Sequence, residues 1–198
     1  MQINDGTGTG AAAKVAGSGR VAVDADDGVL AAAKAGGLYV LTNHSDHPTL
    51  TATATGGLIA LLVNSENSRK SFVIDSITVA SSLVALSVSV EINYEIGNPG
   101  NIEGSSPVDI PPTNTAYSSS SGEGYVWDEA SNGITNVTDG TGILRTILAA
   151  GGPTELVPSG RIIVAPGGSI GISHDAPGTT PEISFAIRFY EVDAATGY

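Results

Sequence analysis

Hydrophobic and polar positions alternate most regularly in the second half of the chain. In LVALSVSVEINYEI, Val84, Leu86, Val88, Val90, Ile92, Tyr94 and Ile96 share one parity, and Ser87, Ser89, Glu91, Asn93 and Glu95 share the other. That period of two predicts a strand with one buried face and one wet face. EISFAIRFYEV repeats the pattern, with Ile183, Phe185, Ile187 and Phe189 inward and Ser184, Ala186, Arg188 and Tyr190 outward. LIALLVN is continuously apolar, which predicts a strand buried on both faces. SFVIDSITVAS puts Phe72 and Ile74 on one parity and Ile77 and Val79 on the other, so a bulge near Asp75-Ser76 is needed to bring all four to one face.

GRIIVAPGGSIGIS alternates, breaks at Pro166-Gly167-Gly168 and resumes. A phosphate cradle requires a helix after the glycines, and a P-loop also places Gly-Lys-Ser/Thr there. Here Ile170, Gly171, Ile172 and Ser173 continue the period of two, so the turn is expected to be a strand corner. With GILRTILAA, the count reaches roughly seven or eight strands in one domain.

Two regions depart from this texture. Residues 1–55 hold small apolar residues in short bursts between glycine and polar turns, and AAAKV and VLAAAKAG are too short for more than a turn of helix. This part is expected to be an extended N-terminal arm with short strands, its Val21, Val23, Leu38, Val40 and Leu50 buried against a neighbouring subunit. The alternative is an N-terminal sheet folded onto the same domain. Residues 56–198 are expected to form a jelly-roll-like β-sandwich, interrupted by a long loop excursion at 97–141 that is rich in proline, serine and glycine. The excursion carries Tyr117, Tyr125 and Trp127, the only tryptophan. Two readings of these aromatics stand: a contact surface for a partner or glycan, or a pin that fixes the loop to its own sandwich.

Composition narrows the function. The formal net charge is −12 with only eight lysines and arginines among 198 residues, too few cations to track a nucleic-acid backbone. There are no cysteines, which removes disulfides, thiolate metal sites and cysteine nucleophiles. The opening MQINDGTGTG has neither a basic nor an apolar signal region, and no window reaches the roughly 20 apolar residues of a membrane helix; the expectation is a chain that is neither exported by such a signal nor membrane-spanning.

The candidates for chemistry are weak. His44, Asp46 and His47 lie in NHSDH without the helical spacing of zinc proteases. Asp24, Asp26 and Asp27 are wrongly spaced for a calcium loop. His174-Asp175 with Ser173 or Ser169 lacks a G-x-S-x-G elbow. Glu91 and Glu95, about 13 Å apart along a strand, exceed the spacing of a glycosidase pair. The expectation is a protein without catalytic, metal or cofactor-binding residues.

INDGTGTGAAAKV followed closely by GRV resembles the start of a group of tailed-bacteriophage virion proteins. LIALLVNSENSRKSFVIDSITVA, and IIVAPGGSIGIS followed by ISFAIRFYEV, resemble the strands of their β-sandwich. The resemblance covers most of the chain outside 97–141. It implies a place on the capsid surface after assembly in the host cytoplasm, as a jelly-roll cement or decoration protein that clamps neighbouring capsid subunits. The partners it implies are the major capsid protein and further copies of the chain, as a homotrimer, with no direct contact to nucleic acid or membrane. The alternatives are a tail, adaptor or fibre component, or a carbohydrate- or receptor-binding module that stacks sugars on Tyr117, Tyr125 and Trp127.

Overall fold

The computed structural model of the chain describes residues 14–15, 21–22, 37–43, 50–51, 57–82, 85–96, 105–114, 116, 118–127, 134, 137–138, 140–149, 152–157, 162–175 and 181–194. Among the described residues the regular elements are strands: β1 (Lys14–Val15), β2 (Val21–Ala22), β3 (Leu38–Thr42), β4 (Leu50–Thr51), β5 (Gly57–Val63), β6 (Lys70–Ser81), β7 (Leu86–Ile92), β8 (Glu95–Ile96), β9 (Ser105–Val108), β10 (Glu123–Trp127), β11 (Val137–Thr138), β12 (Thr141–Leu148), β13 (Thr154–Val157), β14 (Ile162–Val164), β15 (Ser169–His174) and β16 (Glu182–Asp193). The all-β expectation holds for these residues.

Two six-stranded antiparallel sheets carry the architecture. The front sheet runs β12-β7-β15-β5-β10-β9. The back sheet runs β13-β6-β16-β3, with β14 also on β6 and β4 also on β16. Their inner faces share one buried cluster, to which the front sheet contributes Leu62, Val88, Val90, Ile170 and Ile172 and the back sheet Phe72, Ile74, Ile77, Phe185 and Phe189. Phe189 is the aromatic centre of the back sheet, 4.9 Å from the Phe72 ring and 5.6 Å from the Tyr39 ring.

The long pair β6–β16 shows how sequence irregularity becomes geometry. Ile77 stands opposite Ile187 and Ser76 opposite Arg188, but Ile74 stands opposite Phe189, so Asp75 is the extra residue of a bulge. That one-residue slip returns Phe72 and Ile74 to the face used by Ile77 and Val79, and all four are buried. Arg188 Nε donates to the buried Asp75 carboxylate, which supplies a charged partner where the ladder is broken.

β5 is buried along its length because it has a second cover. Leu62 and Ala60 face inward opposite Ile170 and Ile172, whereas Leu61 stands between Gly171 and Tyr125 on the outer face. There Tyr94 lies over Gly171. A Cβ on Gly171 would sit 2.8 Å from the Tyr94 ring, 2.8 Å from the Ala60 carbonyl and 2.9 Å from Leu58. Strict alternation places Tyr94 on the inner face with Val90 and Ile92, and the structure overturns this. Asn93 has φ 57°, a left-handed conformation that asparagine tolerates, and it resets the parity of the residues after it.

The Pro166-Gly167-Gly168 turn joins β14 to β15 as a strand corner. Asn64 locks it: the Gly167 N–H donates to the Asn64 carbonyl, the Asn64 N–H donates to the Gly168 carbonyl, and Asn64 Nδ2 donates to the carbonyls of Val164 and Lys70. Gly167 holds φ 80°, where a side chain is strained.

Two boundaries drawn from sequence move. β3 and β4 pair with β16, so residues 38–42 and 50–51 belong to the back sheet rather than to a separate arm. Tyr39 and Leu41 enter the shared core there, opposite Phe189 and Ile187. The excursion at 97–141 is not only loop: β9 and β10 extend the front sheet beyond β5. Its serine run is fastened to β16, where Glu191 accepts from Ser120 Oγ at 2.5 Å and from the Ser121 N–H at 3.0 Å.

Gly171→Ala is expected to lower stability by about 1–3 kcal/mol, because one of the three close neighbours is backbone and cannot yield. Urea unfolding followed by circular dichroism measures it; an unchanged midpoint contradicts the outer cover of Tyr94 on Gly171.

Candidate functional site

A sheet edge exposes unpaired backbone donors and acceptors, and proteins blunt such edges by proline, short length, bulges or a covering segment. Three edges here are managed in these ways. β9 is four residues long and contains Pro107. β3 is covered by residues 111–113, with the Thr113 N–H donating to the Leu38 carbonyl at 2.8 Å and a bridge between Tyr39 and Pro112. β13 has four residues and an irregular register, and β14 has three.

The fourth edge is different. β12 has eight residues and no proline, and β7 is its ladder partner among the described residues. After a bulge at Gly142–Ile143 its register against β7 is regular, from Leu144 opposite Val90 to Leu148 opposite Leu86. Leu144, Thr146 and Leu148 therefore take the core parity, and Arg145 and Ile147 face out beside Ser89 and Ser87. Ile147 is 66% exposed and Ile143 40% exposed. The one other large exposed apolar residue among those described, Ile163 at 40%, is on β14. Arg145 is the single charge between residues 141 and 149, and it pairs with the Asp175 carboxylate while its Nε donates to Ser87 Oγ.

The outer face of the front sheet carries a second group of polar and aromatic side chains. Tyr125 is half-buried between Leu61 and Pro107, and its hydroxyl donates to Glu123 at 2.8 Å. Burial, then the neighbouring carboxylate, pushes the phenol up to about 12, so it remains a neutral donor at physiological pH. Trp127 ends β10 opposite Ser105. Glu91 accepts from Ser173 Oγ at 2.8 Å, which ties neighbouring strands on this face.

Among the described residues, the structure does not gather the others singled out from sequence into one site. Leu38 is buried and Val40 half-buried in β3, opposite Tyr190 and Arg188 and outside the shared core cluster; Leu50 is in β4 opposite Ile183, and Val21 is in β2 opposite Val15. Val23, Tyr117, His44, His47, Asp24, Asp26 and Asp27 lie outside the described residues. Ser173 and His174 are neighbours on a strand and face opposite ways: Ser173 bonds Glu91 outside, and His174 is buried beside Val88. Their alternation prevents a serine–histidine couple. Sequence reading missed Ile143, Arg145 and Ile147 because GILRTILAA is apolar on both parities, and edge position depends on the order of strands in space.

Neither any model of a known protein family nor any curated protein matches this chain.

Burial lowers the pKa of His174, opposed by its contact with the Asp175 carbonyl at 2.9 Å. The folded state therefore favours neutral imidazole relative to the unfolded chain at 6.5, and the stability this contributes is lost as pH falls below 6.5 and through the folded value. In melting curves taken from neutral pH to about pH 5, the wild type is expected to lose more stability than His174→Gln. Parallel losses in the two proteins contradict a buried, neutral His174.

Proposed function

We propose that the chain is a structural virion protein of a tailed phage, a cement or decoration protein that binds the capsid surface and clamps neighbouring capsid subunits, with a jelly roll as its body. The strand order supports the jelly-roll body of this reading. If β3 with β4 and β13 with β14 are each counted as one strand, and the peripheral strands β1, β2 and β8 to β11 are set aside, the body has eight strands in sequence. One sheet then holds the first, eighth, third and sixth, and the other the second, seventh, fourth and fifth. That interleaving is the two-Greek-key order of a jelly roll, an architecture shared by viral capsid and lectin domains.

Architecture alone does not select a function. Support for a mechanical role comes from the resemblance of the apolar strand units to phage virion proteins and from β12, an edge strand among the described residues that carries exposed isoleucines. At roughly 25 cal/mol per Å² of apolar area, shallow contacts repeated over a shell add up to a substantial resistance to internal pressure. The partners under this reading are the major capsid protein and further copies of the chain.

A second reading, a carbohydrate- or receptor-binding module, draws on Tyr125, which stands on an outer sheet face with its hydroxyl oriented by Glu123. Sugar-binding faces use aromatic rings and orienting carboxylates in this way.

The test is to add the purified chain to particles that lack it and average the added density by electron microscopy. Density at capsid symmetry axes or subunit junctions is the expected result. Density confined to the tail favours a tail or fibre component instead. No density, together with glycan affinity lost on Trp127→Ala, favours the sugar-binding reading.

A further inference from the structure

We propose that β12 is a self-association edge, pairing antiparallel with β12 of a second copy of this chain about a two-fold axis through Thr146. The inference rests on the reading of the chain as an assembly component, names the surface through which its copies meet, and departs from the homotrimer that the resemblance implies, because a two-fold contact gives an even number of chains.

The edges point to this strand. β9, β3 and the β13–β14 side are shortened, covered or interrupted, whereas β12 keeps a regular register over Leu144–Leu148 and leaves Ile147 66% exposed. An open, apolar strand edge recruits another strand, because both unpaired backbone groups and apolar side chains gain partners in one step.

Charge favours a second copy at this place. Two chains of net charge −12 repel over most of their surfaces, but residues 141–149 hold no carboxylate, and their single cation is balanced by Asp175. The approach is therefore least opposed along β12.

Side-chain order fixes the register. With the axis at Thr146, the two threonines face each other, Leu144 meets Leu148 of the partner subunit on the core parity, and Arg145 meets Ile147 of the partner subunit on the outer parity. The stem of Arg145 covers the exposed isoleucine, and each Arg145 keeps Asp175. Moving the axis to Arg145 sets two guanidiniums opposite each other and draws the bulge at Gly142–Ile143 into the ladder. The front sheets of two copies then run as one continuous sheet of twelve strands.

A two-fold contact closes at two copies, so any assembly that contains it has an even number of chains. Analytical ultracentrifugation of the full chain over a wide concentration range is expected to give an even stoichiometry, and Ile147→Lys to reduce the mass twofold with an unchanged circular dichroism spectrum. The chain has no cysteine, so Thr146→Cys supplies a single thiol. Directly opposed residues of an antiparallel pair have Cα atoms about 4.5–5.5 Å apart, within disulfide range, and mild oxidation is expected to yield a covalent dimer. A monomer at every concentration, an odd number of copies, or a mass unaffected by Ile147→Lys overturns the proposal. A monomer that still adds density to particles overturns this inference alone; an even-numbered assembly that binds no particle overturns the capsid reading alone.

Discussion

The ion pair between Arg188 and Asp75 occupies the irregularity on which the pairing of β6 with β16 depends. β6 and β16 are each twelve residues long, and an uninterrupted ladder would turn either Phe72 and Ile74 or Ile77 and Val79 to the outside. The bulge resolves that conflict by adding Asp75, and burial of its carboxylate is tolerable because a guanidinium reaches it from the opposite strand. Everything packed on the inner face of the back sheet depends on this correction: the Phe72–Phe189–Tyr39 rings on one side and, across the interior, the isoleucines of β15.

The front sheet meets a different constraint. β5 lies inside its sheet with apolar residues on both faces, so a cover over the outer face is needed as much as the core beneath it. The chain supplies that cover by leaving β7 through Asn93, whose left-handed backbone sends Tyr94 over Gly171. Buried Ile134 and half-buried Tyr125 and Val137, all from the excursion between β7 and β12, join the same cluster. The excursion is thus part of the packing.

How much of this was legible depended on whether a feature was local. Alternation along β7 and β16, two-sided burial of β5, the bulge at Asp75 and the corner at Pro166 each leave a mark within a few residues, and each appears in the structure. The fate of Leu38–Thr42 was not local. Four of its five residues are apolar, but the ladder that seats them is β16, far along the chain. Tyr94 fitted the period of two and departed from it because a single backbone angle, invisible in the pattern, intervened. The open edge at β12 was hidden for a related reason: Ile143 and Ile147 look like core residues in sequence, and only the spatial order of strands leaves them outside. The candidate interaction surface is therefore a property of topology.

β16 lies between β3 and β6, so the centre of the back sheet is the last of the described strands in sequence. Until residues 182–193 are in place, Leu38–Thr42 has no β16 ladder to join and one edge of β6 lacks its partner. Pairing Leu38 with Tyr190 closes nearly the whole chain into one loop, a contact of very high order whose entropic cost falls at the end of folding. The sandwich is thus incomplete until this strand is in place, and closure of the back sheet is a late, cooperative step of folding.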